Sequence, residues 1–121
     1  MEYIEKRAST FCENSYRLIE SGMDYMWMHF KDSDLTVAIL AKKCNISEVY
    51  FRKIFKSLYG TTPIKMITEM RLDHAVQLLE SGRYQVHEVA QMCGFDNVKY
   101  FSTLFKAKKK ISPSELVGKL K

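Results

Sequence analysis

Proline and glycine are scarce in this chain, two and five residues among 121. Breakers this rare leave room for long helices, and they exclude a collagen-like or low-complexity chain. Long apolar runs are missing too: no stretch approaches the ~18 uninterrupted apolar residues that a membrane-spanning helix needs. The first seven residues, Met1 to Arg7, include four charged ones and cannot form the core of a signal peptide. The expectation is a cytoplasmic chain, close to the nucleoid, with no membrane partner. Cysteine is limited to Cys12, Cys44 and Cys93, an odd number with no C-x-x-C pair, which argues against a disulfide framework or a zinc cage and for a reducing compartment.

Catalytic machinery is equally hard to assemble. An enzyme needs a nucleophile with its base, or a metal cluster, and the candidates are the three cysteines with His29, His74 and His87. Cys44 and Cys93 stand at equivalent places where a small residue packs, and the histidines have no metal-ligand spacing. No enzyme and no cofactor are expected.

What is present is the composition of one soluble globular domain, 46% hydrophobic, 12% aromatic and 27% charged, long enough for a single core. The net charge of +5 is unevenly spread. Residues 1 to 35 hold four Lys/Arg against seven acids, whereas residues 36 to 121 hold fifteen against seven. A basic surplus over the last two thirds fits a polyanionic partner, although a solvated surface gives the same sum.

Two segments about 50 residues apart share one grammar, from Val37 to Lys56 and from Val86 to Lys106. Ala41, Cys44 and Asn45 pair with Ala90, Cys93 and Gly94 at a separation of 49; Tyr50, Phe51, Phe55, Lys56 and Pro63 pair with Tyr100, Phe101, Phe105, Lys106 and Pro113 at 50. One residue is therefore inserted at the second turn. Each segment parses as a short helix, a tight turn and a longer helix. Thr36 caps the first short helix, Asn45 takes the left-handed conformation that ends it, and Ser47 caps the next; in the second segment Gly94 supplies the turn and Asp96 the cap. Two helices joined by three or four residues, with a small alanine mid-way along the first, make a helix-turn-helix arrangement.

Between the units, about residues 36–59 and 86–109, Thr62 and Pro63 open a linker helix over about 63–81 that Gly82 ends. A first helix is marked by Leu18, Ile19, Met23, Met26, Trp27 and Phe30, and Ser112-Pro113 opens a short last one. The fold class is thus all-α, a seven-helix tandem helix-turn-helix domain over residues 15–121. Residues 1–14, with helical spacing in Ile4, Ala8 and Phe11, read as an extension or a linker from an upstream domain.

The longer helix of each unit has two faces. Phe51, Ile54, Phe55 and Leu58 form a core-facing stripe, so the opposite face carries Val49, Arg52, Lys53 and Lys56; the same face of the second unit carries Lys99, Ser102, Thr103 and Lys106. Adding 50 to the first set gives the second. Such a face is where a major groove is read, with Ser47, Glu48, Asn97 and Val98 at the helix starts also within reach of base edges. A bidentate Arg52 on guanine is worth roughly 1–3 kcal/mol of discrimination; Lys53, Lys56 and Lys106 suit phosphates. Glu48 can accept from a cytosine amino group or favour the helix N-terminus, and the helix role is preferred. A linker of about 27 Å approaches the ~34 Å between successive major-groove faces, and unlike units imply an asymmetric site.

These residues carry a resemblance. Leu40-Ala41, Ile46-Ser47, Phe55-Lys56, Gly60, Pro63, Arg71-Leu72, Ala75, Leu78-Leu79, Val89-Ala90, Gly94-Phe95, Tyr100-Phe101-Ser102, Phe105-Lys106 and Ser112-Pro113 make residues 15–116 similar to the DNA-binding domain of the AraC/XylS family. The resemblance implies a bacterial transcription regulator, most often an activator that binds double-stranded DNA beside a promoter and contacts RNA polymerase; other members carry a ligand-sensing or receiver domain. The chain departs from the family at Thr103, where arginine is common, at Lys110, where glycine usually ends the helix, and at Leu116-Val117, in place of an aromatic-Arg ending.

The main rival is a helical interaction module with only non-specific DNA binding, in which Met23, Tyr25, Met26, Trp27 and Met28 form a surface for a protein. RNA binding would favour exposed aromatics, and Tyr50, Phe51, Tyr100 and Phe101 are expected largely on the inward side of their helices.

Overall fold

The computed structural model describes the backbone of residues 2–120 and the side chains of residues 13–119. Ile4, Ala8, Phe11 and Cys12 therefore lie outside the described side chains. Among the described residues seven helices follow one another: α1 (Glu2–His29), α2 (Val37–Lys43), α3 (Glu48–Tyr59), α4 (Pro63–Glu80), α5 (Val86–Met92), α6 (Val98–Lys109) and α7 (Pro113–Leu120). No strand occurs among the described residues.

The starts of these helices follow from short polar side chains. Thr36 Oγ1 accepts from the Ile39 N–H (3.3 Å) and Thr62 Oγ1 from the Lys65 N–H (3.2 Å); Ser112 Oγ accepts from the Glu115 N–H (3.1 Å). Each satisfies a backbone donor that a helix start leaves open, a contribution of about 1 kcal/mol. At α5 the device is reversed, for the Glu88 carboxylate reaches back to the Gln85 N–H (3.1 Å).

The chain divides into two compact units, one of residues up to His29 with Leu35–Ile67, the other of Phe30–Asp34 with Thr68–Lys121. In the first, α1 packs on α2 and α3. Its core joins Ile19, Met23 and Met26 of α1 to Leu40 and Ala41 of α2 and to Phe51, Ile54 and Phe55 of α3. Gly22 is what lets the helices approach. A Cβ there would lie 2.8 Å from both Cys44 Sγ and the Leu40 carbonyl oxygen, and its N–H donates to Cys44 Sγ at 3.2 Å. Trp27, one of the apolar residues that mark this helix in the sequence, is 55% exposed, and Met28 76%; Leu18 and Ile64 are exposed as well. Met23 and Met26 have taken the inward positions of α1, one turn apart.

The second unit gathers Leu72, Ala75 and Leu79 of α4, Val89, Ala90 and Cys93 around α5, and Phe95, Phe101 and Phe105. Phe101 and Phe105 are fully buried, and burying each contributes about 1.5–3 kcal/mol. Burial pushes the Cys93 thiol up to about 11, so it packs as a small neutral group. The segment Phe30–Asp34 is held in this unit by Arg71, whose Nε donates to the Phe30 carbonyl (2.6 Å) and Nη2 to that of Asp32 (2.7 Å). Gly94, at φ 92°, lies against the same segment; a Cβ there would meet the Lys31 carbonyl oxygen at 2.6 Å.

Candidate nucleic-acid interface

The two helix-turn-helix segments are built alike. After α2, Asn45 takes φ 57° and the Ile46 N–H returns to the Ala41 carbonyl (3.2 Å); after α5, Gly94 takes φ 92° and the Phe95 N–H returns to the Ala90 carbonyl (2.9 Å). A small Ala at each of these positions, both buried, lets the turn close over the first helix. The caps of the longer helices correct one expectation. Ser47 Oγ accepts from the Tyr50 N–H (3.1 Å), and its counterpart is Asn97, whose Oδ1 accepts from the Tyr100 N–H (3.0 Å). Asp96 does not cap α6. It is the residue inserted into the second turn, so the repeat changes its spacing from 49 to 50 just before the cap. Asp96 lies near Arg71 instead, where its charge favours the guanidinium against the dominant effect of burial, which lowers the Arg71 pKa.

From these caps α3 and α6 each run twelve residues. Both end on a left-handed residue, Gly60 at φ 70° and Lys110 at φ 65°, whose N–H bonds the carbonyl of Lys56 (2.8 Å) or Lys106 (2.9 Å). A lysine thus ends α6 where glycine ends α3.

The outward faces differ in chemistry. On α3, Val49 is 76% exposed, and Arg52, Lys53 and Lys56 stand beside it in solvent. Arg52 Nη2 reaches Glu48 Oε2 at 3.3 Å across one turn, with both side chains about half exposed. Such a pair is worth about 0.3–0.5 kcal/mol, too little to hold Arg52 against a better acceptor. On α6, Lys99, Thr103 and Lys106 are exposed, Ser102 is half-buried, and Val98 packs partly into its unit's core. The Thr103 hydroxyl donates back to the Lys99 carbonyl (3.0 Å), so it turns away from a partner outside. Lysines follow at 106, 108 and 110, all exposed. Lys109 instead meets Asp73 Oδ1 at 2.5 Å.

Sequence reasoning missed two side chains. Tyr50 and Tyr100, expected on the inward side, are 45% and 59% exposed, whereas their neighbours Phe51 and Phe101 are fully buried. The adjacent aromatics look alike in a hydrophobicity pattern, yet one helical residue turns the side chain by 100°. The signal that separates them is the polar tip: phenylalanine is inward in both units and tyrosine outward in both.

Comparison with known proteins identifies this pair of units. The helix-turn-helix domain model matches residues 40–119, two thirds of the chain. The chain belongs to the AraC-type helix-turn-helix family. Members are DNA-binding regulators, not enzymes. The AraC-type domain is 37% identical over 90 residues to the MmsAB operon regulatory protein of Pseudomonas aeruginosa, an alignment covering 74% of this chain and 29% of that protein. The chain thus spans less than a third of that relative's length. Among solved structures it is similar to the C-terminal domain of AraT, a response regulator from Geobacillus stearothermophilus, at TM-score 0.79 and 33% identity over 84% of each chain. It is also similar to the DNA-binding domain of AdpA, a global transcriptional factor solved with a target DNA, at TM-score 0.76 and 27% identity, covering 83% of this chain and 89% of that one. No described helix is long and apolar enough to cross a membrane.

Proposed function

We propose that this AraC-type domain reads an asymmetric double-stranded DNA site by placing α3 and α6 in successive major grooves, as part of a bacterial transcription regulator that activates transcription. One observation carries the reading: two capped twelve-residue helices have outward positions that correspond at an offset of 50, although the residues there differ in chemistry. Arg52 and Val49 read bases on one half-site, guanine by a bidentate pair and a thymine methyl by contact. Lys53, Lys56 and Lys106 hold phosphates. Lys99 is the base reader of the second half-site, with Ser47, Glu48, Asn97, Val98, Ser102 and Thr103 along the two faces. The AdpA relative, solved with its target DNA, supports the ligand class. RNA polymerase is the protein partner implied by activation, a sensor or receiver domain in a longer chain is the input that such a regulator takes, and the protein works in the cytoplasm on the nucleoid.

Selection of bound sequences from random duplex DNA, followed by a salt titration on the winners, tests this. The expected result is two short, unlike boxes about one helical turn apart, with affinity falling steeply as salt rises. Enrichment of a single box would reduce α6 to backbone holding, and weak binding without enrichment would overturn the reading. The exposed Trp27 and Met28 on α1 favour a second function in the same domain, docking of a protein partner through an apolar contact, which salt would leave largely unchanged.

A further inference from the structure

We infer that Tyr50 and Tyr100 are a matched pair of DNA-backbone contacts, each phenol donating a hydrogen bond to a phosphate oxygen on the wall of the groove its helix occupies; the inference rests on α3 and α6 being the groove readers. Four observations meet at these residues. They occupy the same position in the two units, 50 apart, three residues after the caps Ser47 and Asn97 that bond their backbone N–H groups. They are exposed, 45% and 59%, beside buried phenylalanines. Among the described residues neither phenol oxygen has a hydrogen-bond partner. Finally, each follows directly the residue at the head of the outward stripe, Val49 or Lys99.

Geometry then assigns the contact. A helix lying in the major groove turns one stripe to the base edges, and the side chains about 100° to its flank meet the phosphates that border the groove. Tyr50 lies on that flank together with Lys53 and Ser57, which with Ser15 and Leu18 of α1 line a shallow groove of about 230 Å³. A phenol reaches beyond the helix with only two rotatable torsions, so little entropy is lost when it is fixed. Hydrogen bonds to an ionised acceptor are roughly twice as strong as neutral ones.

The two units are not equal on this flank. In α3, Lys53 stands one turn beyond Tyr50 and supplies a second donor. In α6 that place belongs to Thr103, whose hydroxyl is already given to the Lys99 carbonyl. Tyr100 is then the principal donor on its flank, and its loss weighs more.

The test uses Tyr50→Phe and Tyr100→Phe in the full chain, bound to the selected duplex. Phenylalanine keeps the ring, so the thermal midpoint stays at the wild-type value. Affinity drops about tenfold for Tyr100→Phe and severalfold for Tyr50→Phe, equally on duplexes that differ at single base pairs. The slope of log affinity against log salt stays unchanged, because a neutral donor releases no counterion, whereas Lys53→Ala lowers that slope by about one. Replacing each phosphate in turn by an uncharged methylphosphonate locates the acceptor: at one linkage Tyr100→Phe costs nothing further. Phenylalanine variants that bind like wild type, or a loss confined to certain base pairs, overturn the inference. A wild-type chain that selects no sequence overturns the groove reading itself, a separate outcome.

Discussion

Lys110 holds a backbone conformation, φ 65°, that costs an L-residue about 1–2 kcal/mol and glycine almost nothing. Its counterpart Gly60 holds the same conformation at φ 70°, with open space where a Cβ would stand. Lys110→Gly is expected to stabilise the protein by about 1 kcal/mol, raising the thermal midpoint by a few degrees, while Gly60→Ala lowers it by a similar amount. A midpoint that falls on Lys110→Gly in a melting experiment would mean the lysine side chain contributes more than its backbone strain costs. Gly94 is the severe case: a left-handed φ and a carbonyl oxygen 2.6 Å from any Cβ act together. Much of this was legible residue by residue. Thr36, Ser47 and Thr62 announce their caps because a cap needs only a short polar side chain and the next three residues. Asp96 misled because it stands beside Asn97 and is an equally good capping type; only the register of the turn decides between them. Gly22 gave no signal, since its close approach to Leu40 and Cys44 is tertiary.

The helices of the candidate interface show where pattern reading succeeds at the scale of an element. A stripe at i, i+3, i+4 and i+7 put Phe51, Ile54 and Phe55 inside and Arg52, Lys53 and Lys56 outside, as found, because a two-sided helix has one solution. It failed at Tyr50 and Tyr100 on the boundary between faces, and it left Trp27 on α1 undecided, where burial depends on what packs opposite. On the proposed groove reading, α3 and α6 divide the labour. Arg52→Ala is expected to relax base preference in one half of the site, at about 1–3 kcal/mol for the favoured pair, and Lys99→Ala in the other half. Measuring affinities for duplexes substituted in each box separates the two; unchanged preference in both variants would move the base contacts off these faces.

For the whole molecule, the telling residue is Arg71. Its two hydrogen bonds to the carbonyls of Phe30 and Asp32, with the Phe95 ring 5.9 Å from its guanidinium, hold a segment that lies between α1 and α2 in sequence. Arg71→Ala is expected to lower stability by about 2 kcal/mol, read as a lower urea midpoint with an unchanged slope; an unchanged midpoint would show that the segment is held by packing alone. The sequence offered Arg71 only as part of a family resemblance, since nothing local shows that an arginine on α4 caps a chain forty residues away.

That segment makes inheritance of the repeat less simple than its symmetry implies. The chain passes from one unit to the other three times, after His29, after Asp34 and after Ile67. A recombination event that cut α4 ahead of Arg71 would not exchange one finished module for another: the upstream piece would keep residues 30–34 without Arg71 and Gly94, and the downstream piece would keep an arginine with no carbonyls to bind. On the proposed groove reading, new DNA specificities are therefore reached more readily by substitution on the faces of α3 and α6 than by shuffling of halves.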